Sequence, residues 1–188
     1  MFTLQYKYEP FDGWCFRIGT QRSFSACTKG KVMISIRDLV RSKLGYDLPP
    51  APAAVGSYAP FRHLGNQLAI SGQLPLKDGV LTSTGIVGDD VDLDEAQEAA
   101  RICTINIISQ LSQAVDDDLG RVMGCLIIRG YVASHPQFTK HPLVINAASD
   151  MMSDILGESR GNHARAAVGM SSLPLNAPVE IEATFVTS

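Results

Sequence analysis

Apolar residues along the chain switch between two spacings. Between residues 93 and 115, Ala96, Ala99, Ala100, Cys103, Ile107, Leu111 and Ala114 recur at three- and four-residue intervals, the stripe of an amphipathic helix. Asp92 stands at its N-cap position and Glu95 follows three residues on, a capping-box pair. A second long helix is predicted from Pro142 to Leu156, with Val144, Ala148, Met151, Met152 and Ile155 inward and Gly157 as its stop. A shorter one spans residues 34–44, where Ile36, Leu39, Val40 and Leu44 share a face and Gly45 supplies the C-cap. Elsewhere the pattern is that of strands. These are predicted at residues 57–64 and 67–73 around a Gly65-Asn66 turn, near Val80-Leu81, at 122–132, at 164–171 and at 178–187. The last two flank the turn Leu173-Pro174-Leu175-Asn176 and read as a β-pair. Leu48-Pro49-Pro50-Ala51-Pro52 reads as an extended linker.

This order predicts an α+β fold, a mixed β-sheet with two main helices on one face. The other face still carries apolar residues, which predicts burial by self-association.

Composition narrows the function classes. With 188 residues and 45% apolar content the chain can build its own core. A net charge of -3 argues against a phosphate-binding surface, hence no nucleic-acid partner is expected. No apolar run is long enough to span a bilayer, so no membrane partner is expected either. P-loop, GxGxxG, HExxH and GxSxG motifs are missing. His63, His135, His141 and His163 show no ligand spacing, and no metal is expected; His163 stands out only for lying two residues before Arg165. Cys15, Cys27, Cys103 and Cys125 form no CxxC and read as free, reduced thiols of a cytoplasmic or organellar-matrix protein.

Charge is uneven. Residues 1–32 carry five bases, two acids and seven of the 13 aromatics, whereas residues 33–188 carry 11 bases and 17 acids. Three readings of this leader stand: an ordered arm, a targeting segment, or a stretch upstream of a true start at Met33.

Strand alternation isolates the candidate chemistry. Arg165, Ala167 and Gly169 share one face of their strand, and Glu180, Glu182 and Thr184 share one face of the last. An arginine with only small neighbours on its face suits bidentate capture of a carboxylate, and a nearby glutamate can orient or deprotonate a water. A plain Arg165–Glu ion pair is the competing reading.

The segments Ala164-Arg165-Ala166-Ala167-Val168, Leu173-Pro174 and Val179-Glu180-Ile181-Glu182-Ala183 resemble the C-terminal signature of the RidA/YjgF family. Ala51-Pro52, Val55-Gly56-Ser57-Tyr58 and Ile70-Ser71-Gly72-Gln73-Leu74-Pro75 extend the resemblance over residues 48–187. Asn146-Ala147-Ala148-Ser149 and Gly161-Asn162-His163 are similar to a longer, endoribonuclease-like or chorismate-mutase-like branch of it. The resemblance implies a chorismate-mutase-like fold and a homotrimer with clefts between subunits. It implies cofactor-independent hydrolysis of reactive enamines and imines, such as 2-aminoacrylate, to 2-keto acids and ammonia. By position, Arg165 would hold the substrate carboxylate and Glu180 would position the attacking water. Gly72 would lend its backbone, Tyr58 would line the cleft and Asn146 would reach in from the second long helix. A cysteine of the family falls at Ala167, whose backbone remains available, and Glu182 reads as a structural partner.

The resemblance also places the domain at residues 33–188 and favours the targeting or upstream-stretch reading of residues 1–32. The compartment is then cytoplasmic, or the mitochondrial matrix if that leader is a transit peptide. Two other functions stand beside the deaminase: a non-catalytic trimer that binds small carboxylate metabolites, and a ribonuclease or translation inhibitor.

Overall fold

The computed structural model describes residues 33–54 and 56–188. The predicted leader and the two cysteines in it lie outside the described residues, as does Val55.

Helix α1 (Ile36–Leu44) is capped by the Ser35 hydroxyl, which accepts from the Asp38 N–H, and ends on Gly45 at a left-handed φ of 78°. A hairpin of β1 (Phe61–Leu64) and β2 (Gln67–Gln73) follows, then the two-residue strands β3 (Leu76–Lys77) and β4 (Val80–Leu81). Residues 57–60, predicted as strand, stay outside the ladder: β1 begins at Phe61, paired with Ile70. Helix α2 (Leu93–Ala114) starts where Asp92 accepts from the Glu95 N–H. Strand β5 (Val122–Ala133), helix α3 (His141–Leu156), the short helix α4 (Glu158–Gly161), strand β6 (Ala164–Met170) and strand β7 (Val179–Thr187) complete the described chain. Sequence periodicity misses α4, whose single turn is too short to carry a pattern.

Among the described residues the main sheet runs in the order β1-β2-β7-β5-β6. Strand β6 pairs parallel to β5, and the other pairings are antiparallel. The predicted β-pair between the last two strands is therefore not formed, because β5 lies between them. The turn signal at residues 173–176 is real, with Leu175 and Asn176 at φ of 56° and 61°. The chain leaving it nonetheless crosses to the far side of β5, where two neighbours satisfy the backbone groups of β7.

Both long helices cover one face of this sheet, α2 on β7 and β2, α3 on α2, β5 and β6. That face carries Ile128, Val132, Val179, Ile181, Ala183 and Phe185, all buried. Close approach of α3 needs small residues beneath it. A Cβ on Gly130 would overlap the Ile145 side chain, and one on Gly169 would strike the His141 ring.

The proline segment is no free linker. Its carbonyls accept from buried polar side chains of α2: Ser109 Oγ donates to Pro49 O at 2.9 Å, and Gln110 Nε2 donates to Pro52 O at 2.6 Å. Prolines lack a donor but keep the carbonyl, so an extended proline run can roof a helix that carries donors.

Replacing Asp92 by alanine removes the α2 cap and is expected to lower unfolding stability by about 1 kcal/mol, read from chemical denaturation.

Candidate active site

The sequence-predicted residues fall into two groups. The first lines a cleft of about 340 Å³ on the open side of the sheet, formed by Tyr58, Gly72, Glu180, Leu175 and Pro52 among others. A β-bulge between Ile70 and Gln73 turns Gly72 toward β7. Glu180 lies directly over it, and a Cβ on Gly72 would overlap the Glu180 carboxylate. Only glycine permits that approach.

The end of β2 that carries Gly72, with the loop after it, is tied down on both sides. Ser71 Oγ donates to Ala59 O at 2.8 Å, which draws the Tyr58 segment in. Asn106 Nδ2, buried on α2, donates to Leu74 O at 3.1 Å and Leu76 O at 3.0 Å. At the rim, Leu175 is 64% exposed and holds a left-handed backbone, a strained state for a branched residue.

Burial, and after it the neighbouring Glu182, raises the Glu180 carboxyl above the usual carboxylate range. Glu182 itself accepts from Arg129 Nη1 at 2.8 Å. Tyr131 stands in register opposite Glu180, and burial followed by Glu182 raises its hydroxyl as well. A raised carboxyl binds a proton more readily, which suits a group that takes one from water and returns it.

The second group sits at the edge strand β6. Arg165 Nη1 donates to Asn146 Oδ1 at 2.8 Å and to Ser149 Oγ at 3.1 Å, both on α3. Ala167 is half-buried against the core. Register places Arg165 beside Ile128 and Ala183, on the helix-covered face. Glu180 belongs to the row of Tyr131 and Val168, on the opposite face. Within one chain, then, Arg165 and Glu180 are separated by the sheet, and the glutamate ion pair goes to Arg129 instead. Helix α3 takes up part of the space expected beside Arg165, while Arg165 itself stays exposed.

Alternation had correctly put arginine and glutamate on defined faces of their strands. It could not relate those faces, since that takes the position of β5. Ser149, His163, Leu175 and Tyr131 were not picked out as site residues. The three-residue spacing of Asn146 and Ser149 on a predicted helix is the signal that links Ser149 to its neighbour.

Among the described residues the two thiols are buried. Burial pushes Cys125 up to about 12 and Cys103 well above its ordinary range. Among the described residues no three or more His, Cys, Asp or Glu side chains are grouped to hold a metal ion. No described helix is long and apolar enough to cross a membrane.

Residues 38–183 match the family described as "YjgF/chorismate mutase-like, putative endoribonuclease". Protein TCP17 of Trypanosoma cruzi is 38% identical over 159 residues, 85% of this chain and 96% of that protein. The crystal structure of Atu1372, a protein of unknown function from Agrobacterium tumefaciens, is 44% identical with a TM-score of 0.74, covering 81% of this chain and 96% of its own. E. coli TdcF with bound serine shares the fold at 19% identity, with a TM-score of 0.54 over 85% of this chain and 100% of its own.

Replacing Glu182 by glutamine removes a negative neighbour of Glu180 and frees the Arg129 charge. Both changes favour the ionised form of Glu180, so its titration, followed by carboxyl ¹³C NMR, is expected to move to lower pH. A midpoint that stays or rises would contradict the stated cause.

Proposed function

The chain belongs to the YjgF/chorismate mutase-like family, and from that premise we propose that it hydrolyses small imines and enamines of 2-amino acids, without a cofactor, to 2-keto acids and ammonia. The observation that carries this reading is the pair of half-sites. Each chain presents an arginine held against α3 at one sheet edge and a half-buried carboxylate over a bare backbone in a cleft on the other face. They cannot serve one ligand within a chain, but two copies in contact can combine them. A homotrimer built head to tail would give three such sites by closing a ring of identical contacts. The apolar row on the open face supports association, since Val168 and Met170 are 43% and 40% exposed there.

The chemistry asks little of the protein. Arg165 of one copy holds the substrate carboxylate, fixing the adjacent C=N carbon. Glu180 of the next copy takes a proton from water as its oxygen bonds to that carbon. Glu180 returns that proton to nitrogen as the C=N π pair moves there, giving a carbinolamine; the hydroxyl proton then passes through Glu180 to the same nitrogen as the C–N bond breaks, so ammonia leaves and the carbonyl forms. Gly72 and Ala167 offer backbone groups, Tyr58 walls the cleft and Asn146 steadies Arg165. Small amino-acid-like carboxylates are the natural ligand class, and the serine in TdcF is one such molecule.

The second reading, binding without turnover, uses the same Arg165 and is separated from the first by kinetics. With imines generated in situ by an amino-acid oxidase, the protein should speed ammonia release. Arg165→Ala should lower kcat/KM by about 10- to 100-fold, the worth of a charged hydrogen bond. Glu180→Gln should lower kcat by about 10²-fold or more. No acceleration over buffer, with keto acids still raising the melting temperature, would leave binding alone. RNA cleavage that survives both substitutions would favour the ribonuclease reading.

The association is tested separately. Sedimentation should give three chains per particle, and Val168→Asp should yield monomers without activity. A wild-type monomer with full activity would overturn the shared site.

A further inference from the structure

The two hydrogen bonds from Arg165 to α3 leave from one nitrogen. Nη1 has two N–H groups, and Asn146 Oδ1 and Ser149 Oγ take both. Ser149 Oγ in turn lies 3.0 Å from His163 Nε2, and His163 Nδ1 lies 2.6 Å from the Gly161 carbonyl. A carbonyl only accepts, so Nδ1 carries a proton, and in that tautomer Nε2 is the acceptor. Ser149 therefore gives its one hydrogen to the histidine and keeps its lone pairs for the arginine. The run has a single direction, from Arg165 through Ser149 and His163 to the Gly161 backbone.

Its far end is fixed. A Cβ on Gly161 would lie 2.6 Å from Ser153 Cα, so the end of α4 is jammed against α3. The Gly161 N–H also donates to Gly157 O at 2.7 Å. An exposed arginine on an edge strand is thus held through two side chains to a packed backbone.

We propose that Ser149 and His163 are positioning residues that hold Nη1 of Arg165, so that the guanidinium presents its Nε–H and Nη2–H edge as a side-on fork for a planar carboxylate. This rests on the reading in which Arg165 binds the substrate carboxylate. A pinned guanidinium has less freedom to lose when the anion docks. It also offers one fork rather than two, which sets the carboxylate plane and hence where the C=N carbon lies.

The test uses the full chain as wild type, Ser149→Ala, Ser149→Thr and His163→Ala. Against an imine formed in situ, the two alanine variants are expected to raise KM about fivefold to tenfold while kcat stays within about threefold. Threonine, which keeps the hydroxyl, should recover most of that loss. In an Arg165→Ala background, Ser149→Ala should add nothing further.

Two arms need no turnover. Pyruvate affinity should fall as KM rises. In protein labelled with ¹⁵N-arginine, rotation about the Arg165 Nε–Cζ bond should be slow in wild type and fast in both alanine variants. Wild type that binds pyruvate but releases no ammonia sinks the deaminase reading alone, and the affinity and rotation arms still judge the positioning. Unchanged affinity and rotation in Ser149→Ala overturn it. So does a loss confined to kcat, which would put the serine in the chemistry. Should His163→Ala fail to fold, Ser149→Ala and Ser149→Thr decide alone.

Discussion

The parallel pairing of β6 on β5, in a sheet otherwise antiparallel, obliges the chain to cross over the sheet between them. Helix α3 makes that crossing and stays on the face it lands on. Gly130 and Gly169 let it press close, and the helix then packs on the face of β6 that carries Arg165. The arginine is left at the sheet edge with its guanidinium against α3 rather than among the acids of β7. Among the described residues the same pairing leaves one side of β6 without a strand, so the apolar row on its other face and its open edge lie together. The proposed sharing of a site between copies follows from this geometry.

A second constraint acts from α2. Its buried polar side chains need partners, and three of them find carbonyls in segments outside the helix. Ser109 and Gln110 draw in the proline run, while Asn106 holds the loop after β2. Those two segments supply walls of the cleft that contains Glu180. With the loop fixed, Gly72 stays against the Glu180 carboxylate, and partial burial beside Glu182 raises its proton affinity. Helix α2 thus shapes the site without lining it.

What could be read in advance follows the range of the forces involved. Helices α1, α2 and α3 were legible because their periodicity and caps are local: Asp92, Gly45 and Gly157 act within a few residues. The β1–β2 turn was legible for the same reason. Arg165 and the glutamates of the last strand were picked out by strand alternation, whereas Gly72, Tyr58, Asn146 and Ala167, and the choice of Glu180, came through a family resemblance carried by short motifs; their roles are proposals. The β6–β7 pairing was misread because a genuine turn between two strands looks alike whether the strands pair or are parted by a third. The proline run was misread because its partners lie about 60 residues away on α2.

The amino-acid sequence by itself determined helices α1, α2 and α3, the longer strands, their order and the side of each strand on which Arg165 and Glu180 stand, since backbone geometry and capping are settled over a few residues. Only the tertiary structure decided which strands are neighbours, that the arginine and glutamate face opposite ways, that Gly72 lies beneath the glutamate, and that Ser149 and His163 stand behind the arginine. Those relations depend on how distant segments share buried hydrogen bonds and packing space, and no local pattern records that.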